Sequence, residues 1–209
     1  MAFGGLAAGS AALRSLGMPL PDSTIVRRAQ ELIADVEPAF LVNHSVRAYA
    51  WAVELAWHDA LEFDPEILYV SALLHDIGLV AEYDIGGCFE IDGAVAAERF
   101  AVDHHQAPDR ARAIYDVIAL HMLAEVPLGS TSEVVLLNDS TGVDVTGYRI
   151  ADVRPSAIPQ VLAAYPRLEF KQGFAAMFVD QATRKPTCRV AEMVATGKLE
   201  AIAKAPFES

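Results

Sequence analysis

Positive charge is scarce in this chain. Lys and Arg number 16 against 28 Asp and Glu, giving a net charge of −12, and no basic run occurs in its 209 residues. Phosphate backbones are gripped by clustered Lys and Arg, so no nucleic-acid partner is expected. An anionic substrate would be repelled unless a bound cation offset the field. Cysteine is also rare: only Cys88 and Cys188 occur. Two such residues in a chain this long make no disulfide framework and are expected as free thiols in a reducing cytoplasm. Long apolar runs are missing too. The longest uncharged stretch, residues 1–13, falls short of the roughly 20 residues a spanning helix needs. It lacks a basic lead and is broken by Gly, which speaks against a signal peptide. There is little strand-like alternation, no low-complexity linker and no convincing internal repeat.

What remains is a globular composition, 53% hydrophobic and 21% charged, in a chain long enough to bury a sizeable core. The Gly/Ala/Ser-rich residues 1–18 read as a loosely attached arm, and residues 19–209 as one domain. Ile25, Ala29, Leu32, Ile33 and Val36 trace one helical face. A second helix is expected from Asn43, as N-cap, through "NHSVRAYAWAVELAWHDA". In "FDPEILYVSALLHDIG", Asp64 is the cap, Pro65 the first helical position and Gly78 the stop. "IDGAVAAERFAVDHH" and "PDRARAIYDVIALHML" are helical, and Ser130 with Glu133 forms a capping box before "VVLLNDSTGVDVTG". Phe170, Phe174, Met177, Phe178 and Gln181 form a stripe read as core packing, and a short helix follows near residues 190–196. The fold class is all-α, a single helical bundle.

One stretch conflicts with that apolar pattern. "YVSALLHDIGLV", residues 69–80, sets His75 and Asp76 side by side in what should be core. Leaving a polar group there without a partner costs about 2–7 kcal/mol, and a charge more. A metal ion would satisfy both. Helix neighbours point about 100° apart, so a shared ion must sit beside the groove between them and draw ligands from other helices. His44, near the start of the preceding helix, and Asp144 are placed for that, with Asp139 as the rival carboxylate. Two imidazoles and two carboxylates suit Zn²⁺, Fe²⁺ or Mn²⁺.

"NHSVRAY", then "ALLHDIGL", then a later Asp resembles the HD-domain superfamily of metal-dependent enzymes. The resemblance implies an all-α fold in which His44, His75, Asp76 and Asp144 hold one divalent transition metal per chain, zinc first, with iron or manganese as alternatives. The stretches "LVNHSVRAYAWA", "CFEIDGAVAAERF", "VIALH", "GVDVTG" and "YPRLEFKQGF" are most similar to the cyanamide hydratase group, across residues 20–186.

That group implies hydration of cyanamide to urea. A divalent ion lowers the pKa of its bound water from about 15.7 toward 7, and a nearby acid then protonates the nitrogen. His121 and Glu90 are the candidate catalytic groups. Two other enzyme classes compete. An HD phosphohydrolase would need a cation beside the ligands, and Arg47 is the only motif-adjacent one, expected instead to hold Glu54 or another acid. A two-iron oxygenase would need further His ligands from His121 and His104 or His105, but "CFEID" has Phe89 and Glu90 where another His would be expected. His58, His104 and His105 are otherwise read as surface residues. The expected partner is a small-molecule substrate, and the apolar composition is compatible with a homo-oligomer.

Overall fold

The computed structural model describes residues 2–208, with side chains from residue 9 onward, so Met1 and Ser209 lie outside it. Among the described residues there are helices and no strands: the fold is all-α. In chain order the helices are α1 (Ala2–Ser15), α2 (Thr24–Val36), α3 (Ala39–Asp59), α4 (Pro65–Leu74), α5 (Phe89–Asp103) and α6 (Pro108–Leu120). They continue with α7 (Ser132–Thr146), α8 (Ala157–Ala164), α9 (Phe170–Arg184), α10 (Arg189–Ala195) and α11 (Lys198–Ala203). Among the described residues, no helix is long and apolar enough to cross a membrane.

α3 is the axle of the bundle. Almost every residue from Leu41 to Ala56 is buried, as befits a helix with neighbours all round, and it packs on α4 and α7, with α9 across its start. It begins before the expected Asn43, because Pro38 sits at the N-cap with φ −64 and its ring fixes the φ from which a helix can start. Asn43 lies inside the helix, donating its amide to the Pro166 carbonyl at 2.8 Å.

α4 starts as the sequence dictates. Asp64 caps it, accepting from the Glu66 and Ile67 amides at 2.9 and 3.1 Å, with Pro65 in the first turn. The capping box expected at Ser130 does not form. Thr131 takes the N-cap of α7 without a side-chain bond, and Glu133 instead accepts the Asp64 N–H at 2.7 Å. A tertiary partner has outcompeted the local one, joining α7 to α4.

Two further expectations give way. The N-terminal arm is not loose in its later part: α1 packs on α8 and α2, and Leu13 and Met18 are buried in the main core. Nor are the cysteines free. Cys88, at the N-cap of α5, is disulfide-bonded to Cys188, at the N-cap of α10. Their 100-residue separation hid a pairing that only the docking of α9 and α10 brings about. That docking builds a second apolar cluster from Leu41, Phe89, Phe170, Phe174, Phe178 and Val190.

Candidate metal centre

His75 and Asp76 lie just past the last residue of α4. His75 keeps helical angles (φ −63, ψ −30), while Asp76 (φ −103, ψ 5) turns the chain into a short 3₁₀ segment, Ile77–Leu79. That break lets neighbouring side chains converge: His75 Nε2 lies 3.2 Å from Asp76 Oδ2. Gly78 is therefore not a simple helix stop. A β-carbon there would collide with the Phe89 carbonyl oxygen, so glycine permits the close approach of this turn to α5.

His44, from α3, completes a triangle. Its Nε2 is 3.2 Å from His75 Nε2 and 3.4 Å from Asp76 Oδ2. All three side chains are buried. Each ring commits its other nitrogen elsewhere: His44 Nδ1 donates to Asp144 Oδ2 at 2.8 Å, and His75 Nδ1 to the Ala72 carbonyl at 2.8 Å. With those tautomers two Nε2 lone pairs and a carboxylate oxygen face one point, and Asp76 Oδ2 has no hydrogen-bond donor. Three acceptors facing each other repel unless a cation lies between them. Ligand bonds of about 2.0–2.2 Å place donor atoms about 3.0–3.5 Å apart, as they are here. The donor set fits one divalent transition metal.

Asp144 is not brought to that point. It stands behind His44, with both oxygens fully engaged. Oδ2 accepts from His44 and from Arg47 Nη2 at 2.8 Å; Oδ1 accepts from Arg47 Nε and Trp51 Nε1, each at 2.8 Å. Burial works against its ionisation, yet the Arg47 guanidinium holds its pKa well below the ordinary value. Arg47 thus finds its acid in Asp144; Glu54 is taken by Arg154 at 2.6 Å. The rival Asp139 pairs with Arg149 at 2.7 Å. Arg167, not singled out in the sequence, donates to the Asp144 backbone carbonyl at 3.1 Å.

Residues 41–140 match the family model for the HD domain, which spans His44, His75 and Asp76. They are an HD domain. Two curated relatives, the cyanamide hydratases DDI2 and DDI3 of Saccharomyces cerevisiae, are each 25% identical to this chain over 174 residues, covering 81% of it and 77% of theirs.

Beside the HD-domain triangle opens a cavity of about 400 Å³, whose inner wall carries His44, His75, Asp76 and His121. His121, at the C-cap of α6, donates Nδ1–H to the Ile118 carbonyl at 2.6 Å. Its Nε2 is left bare, 3.9 Å from Asp76 Oδ1. Burial above all pushes its pKa down to about 4, so its imidazole is neutral at pH 7. Asn138 of α7 fixes this corner, donating to the carbonyls of Leu120, His121 and Leu123 at 3.2, 3.0 and 2.9 Å.

Glu90 is placed otherwise. It is buried in the first turn of α5, burial raises its pKa, and it is not among the residues lining the cavity. His104 donates to the Phe100 carbonyl at 2.8 Å, and neither it nor His105 reaches the cavity. The aromatic stripe does more than fill core. Phe170 and Phe174 lie against the His44 ring at centroid distances of 4.7 and 5.4 Å, and Phe174 and Phe178 line the cavity. Helical spacing showed one apolar face and could not show what faced it.

Sequence reading also missed Glu37, at the C-cap of α2. It is 7% exposed, and neither carboxylate oxygen has a hydrogen-bond partner. Burial, reinforced by the charge of Asp76, raises its pKa well above normal.

Proposed function

We propose that this HD-domain protein is a metal-dependent hydratase of a small nitrile, with cyanamide to urea as the first reaction to test. The observation that carries it is the convergence of two bare imidazole nitrogens and one undonated carboxylate oxygen at the wall of a cavity. The similarity to two cyanamide hydratases supports the choice of reaction. His44, His75 and Asp76 would hold one divalent ion, zinc in the first instance. Bound there, such an ion supplies Lewis acidity and makes water acidic near neutral pH.

The chain's own residues supply the rest. Asp144 fixes the His44 ring so that Nε2 points forward, the part outer carboxylates play behind ligand histidines. His121 offers a neutral Nε2 to take a proton from the adding water and pass it to the nitrile nitrogen. The Ile118 carbonyl holds that ring and Asn138 holds the backbone behind it, while Phe89, Phe174 and Phe178 limit water around the reacting carbon. The balance is H₂N–C≡N + H₂O → H₂N–C(=O)–NH₂. The water oxygen forms a double bond to carbon, both C–N π bonds of the nitrile break, and both water protons end on that nitrogen. Glu90 has no part in this scheme.

The residues that the alternatives relied on are placed elsewhere or are too few. The phosphohydrolase reading leaned on Arg47, which is fully buried and bound to Asp144. The two-iron reading needs several further histidines, and only His121 is at hand. A small molecule, not a nucleic acid, is assigned as substrate, in keeping with the charge of −12. The case for a reducing cytoplasm rested on free thiols and loses that support with the disulfide.

The test is metal analysis of the purified protein together with urea detection on cyanamide. About one ion per chain and urea formation that stops on chelation and returns with zinc are expected. A metal-loaded protein that makes no urea would reject the reaction.

A further inference from the structure

The cavity is larger than cyanamide needs. Pockets from about 300 Å³ upward enclose drug-sized ligands, and this one has a volume of about 400 Å³, whereas cyanamide has three non-hydrogen atoms. Its wall also carries two cations, Arg189 at the start of α10 and Lys198 at the start of α11. Neither was singled out in the sequence, where both lie more than 100 residues beyond the His-Asp doublet. Among the described residues, no carboxylate lies within ion-pair distance of either one. Most other cations in this strongly acidic chain are paired, among them Arg47 with Asp144, Arg154 with Glu54 and Lys185 with Asp84; Arg14 and Lys171 donate to backbone carbonyls instead. Glu192 lines the same cavity, on the turn after Arg189, without pairing with it.

Lys198 is only partly exposed, and burial lowers its pKa with no acid nearby to oppose the effect. An ammonium set into a pocket wall without a counter-ion is a cost to the empty protein. A ligand anion would recover it. The chain's net charge and the nearby Glu192 disfavour a dianion, so a monoanion fits better than a phosphate monoester.

We propose that the cavity takes a nitrile larger than cyanamide that carries a carboxylate, with the carboxylate held by Lys198 and Arg189 and the nitrile at the His44–His75–Asp76 end. This deepens the hydratase reading and rests on it for the reacting group, R–C≡N + H₂O → R–C(=O)–NH₂. The anion site itself does not depend on turnover. α10 and α11 then act as the selectivity wall, and the Cys88–Cys188 bond anchors the residue next to Arg189.

The experiment compares cyanoacetate with its neutral analogue 2-cyanoacetamide on the zinc-loaded protein. Binding is measured by calorimetry and turnover by release of the amide product. Wild type should favour cyanoacetate in affinity, and Lys198→Gln should reduce the ratio of the two affinities at least tenfold. Lys198→Arg should restore most of that ratio. A structural defect would weaken both ligands alike and leave the ratio where it was. An unchanged ratio in Lys198→Gln overturns the anion site, even if cyanamide is hydrated. Phenyl phosphate binding more tightly than cyanoacetate overturns the carboxylate assignment. A Lys198-dependent ratio without any nitrile turnover keeps the anion site and rejects only the hydratase reading.

Discussion

Asp144 accepts the Nδ1–H of His44 at 2.8 Å, from the side opposite His75 and Asp76. One oxygen atom thereby fixes which His44 nitrogen is bare and where it points. Asp144→Asn should leave the ring less firmly oriented and the Arg47 charge buried without its partner. Zinc affinity, measured by chelator competition, should fall about 10–100-fold. Stability in denaturant should fall by about 3–5 kcal/mol. Unaltered zinc affinity would remove Asp144 from the centre.

His75 and His121 should separate binding from turnover. His75→Ala removes one corner of the triangle and should abolish metal retention while helical content by circular dichroism stays near wild type. His121→Ala leaves the triangle intact, so zinc should remain. Cyanamide turnover should then fall about 10²–10⁴-fold, the usual span for a general acid–base group. Loss of zinc in His121→Ala would instead make it a ligand.

Acid sensitivity should trace in part to Asp84. It accepts from Gln181 and Arg184 at 3.1 and 2.7 Å and pairs with Lys185 at 2.8 Å. Partial burial resists its ionisation, but Lys185 and then Arg184 hold its pKa below the ordinary carboxylate value. A group whose folded pKa is depressed stabilises above its unfolded pKa of about 3.9, and that stability is lost as pH falls through the folded value. Wild type should therefore lose stability on acidification below about pH 5 more steeply than Asp84→Asn, by denaturant titration across the acid range. Parallel pH curves would refute this.

The Cys88–Cys188 bond closes a loop of about 100 residues. Its removal in a Cys88→Ser/Cys188→Ser variant should lower stability by up to about 4–5 kcal/mol on the chain-entropy account. Alkylation under denaturing conditions should label neither cysteine before reduction and both after it. Labelling of both without reductant would restore the free thiols expected from the sequence.

Glu37 supplies a prediction of opposite sign. A buried acid with two unpartnered oxygens is a cost that an apolar side chain of similar length avoids. Glu37→Met should stabilise the metal-loaded protein by about 1–3 kcal/mol, read in denaturant. Destabilisation would show that the carboxyl has a partner, an ordered water being the simplest.

Local chemistry was legible in the sequence because its causes lie within a few residues. Asp64 and Pro65 start α4 by capping and by a fixed φ, and the spacing of Ile25, Ala29 and Ile33 marks a buried helical face. The His-Asp doublet announced itself by being polar where the pattern demanded core, and His44 by its matching motif. All-α architecture followed from helical periodicity without strand alternation. Tertiary structure alone decided the rest, because each remaining choice was a competition between distant partners. Glu133 turned from its own helix to Asp64, Arg47 to Asp144 rather than Glu54, and Cys88 to Cys188. Asp144 became the support of His44 because four hydrogen bonds to its oxygens, from three side chains on α3, leave it no lone pair facing the centre. Arg189 and Lys198 reached the cavity wall only when α10 and α11 docked there. A sequence shows which groups need partners; only packing shows which partners come within 3 Å.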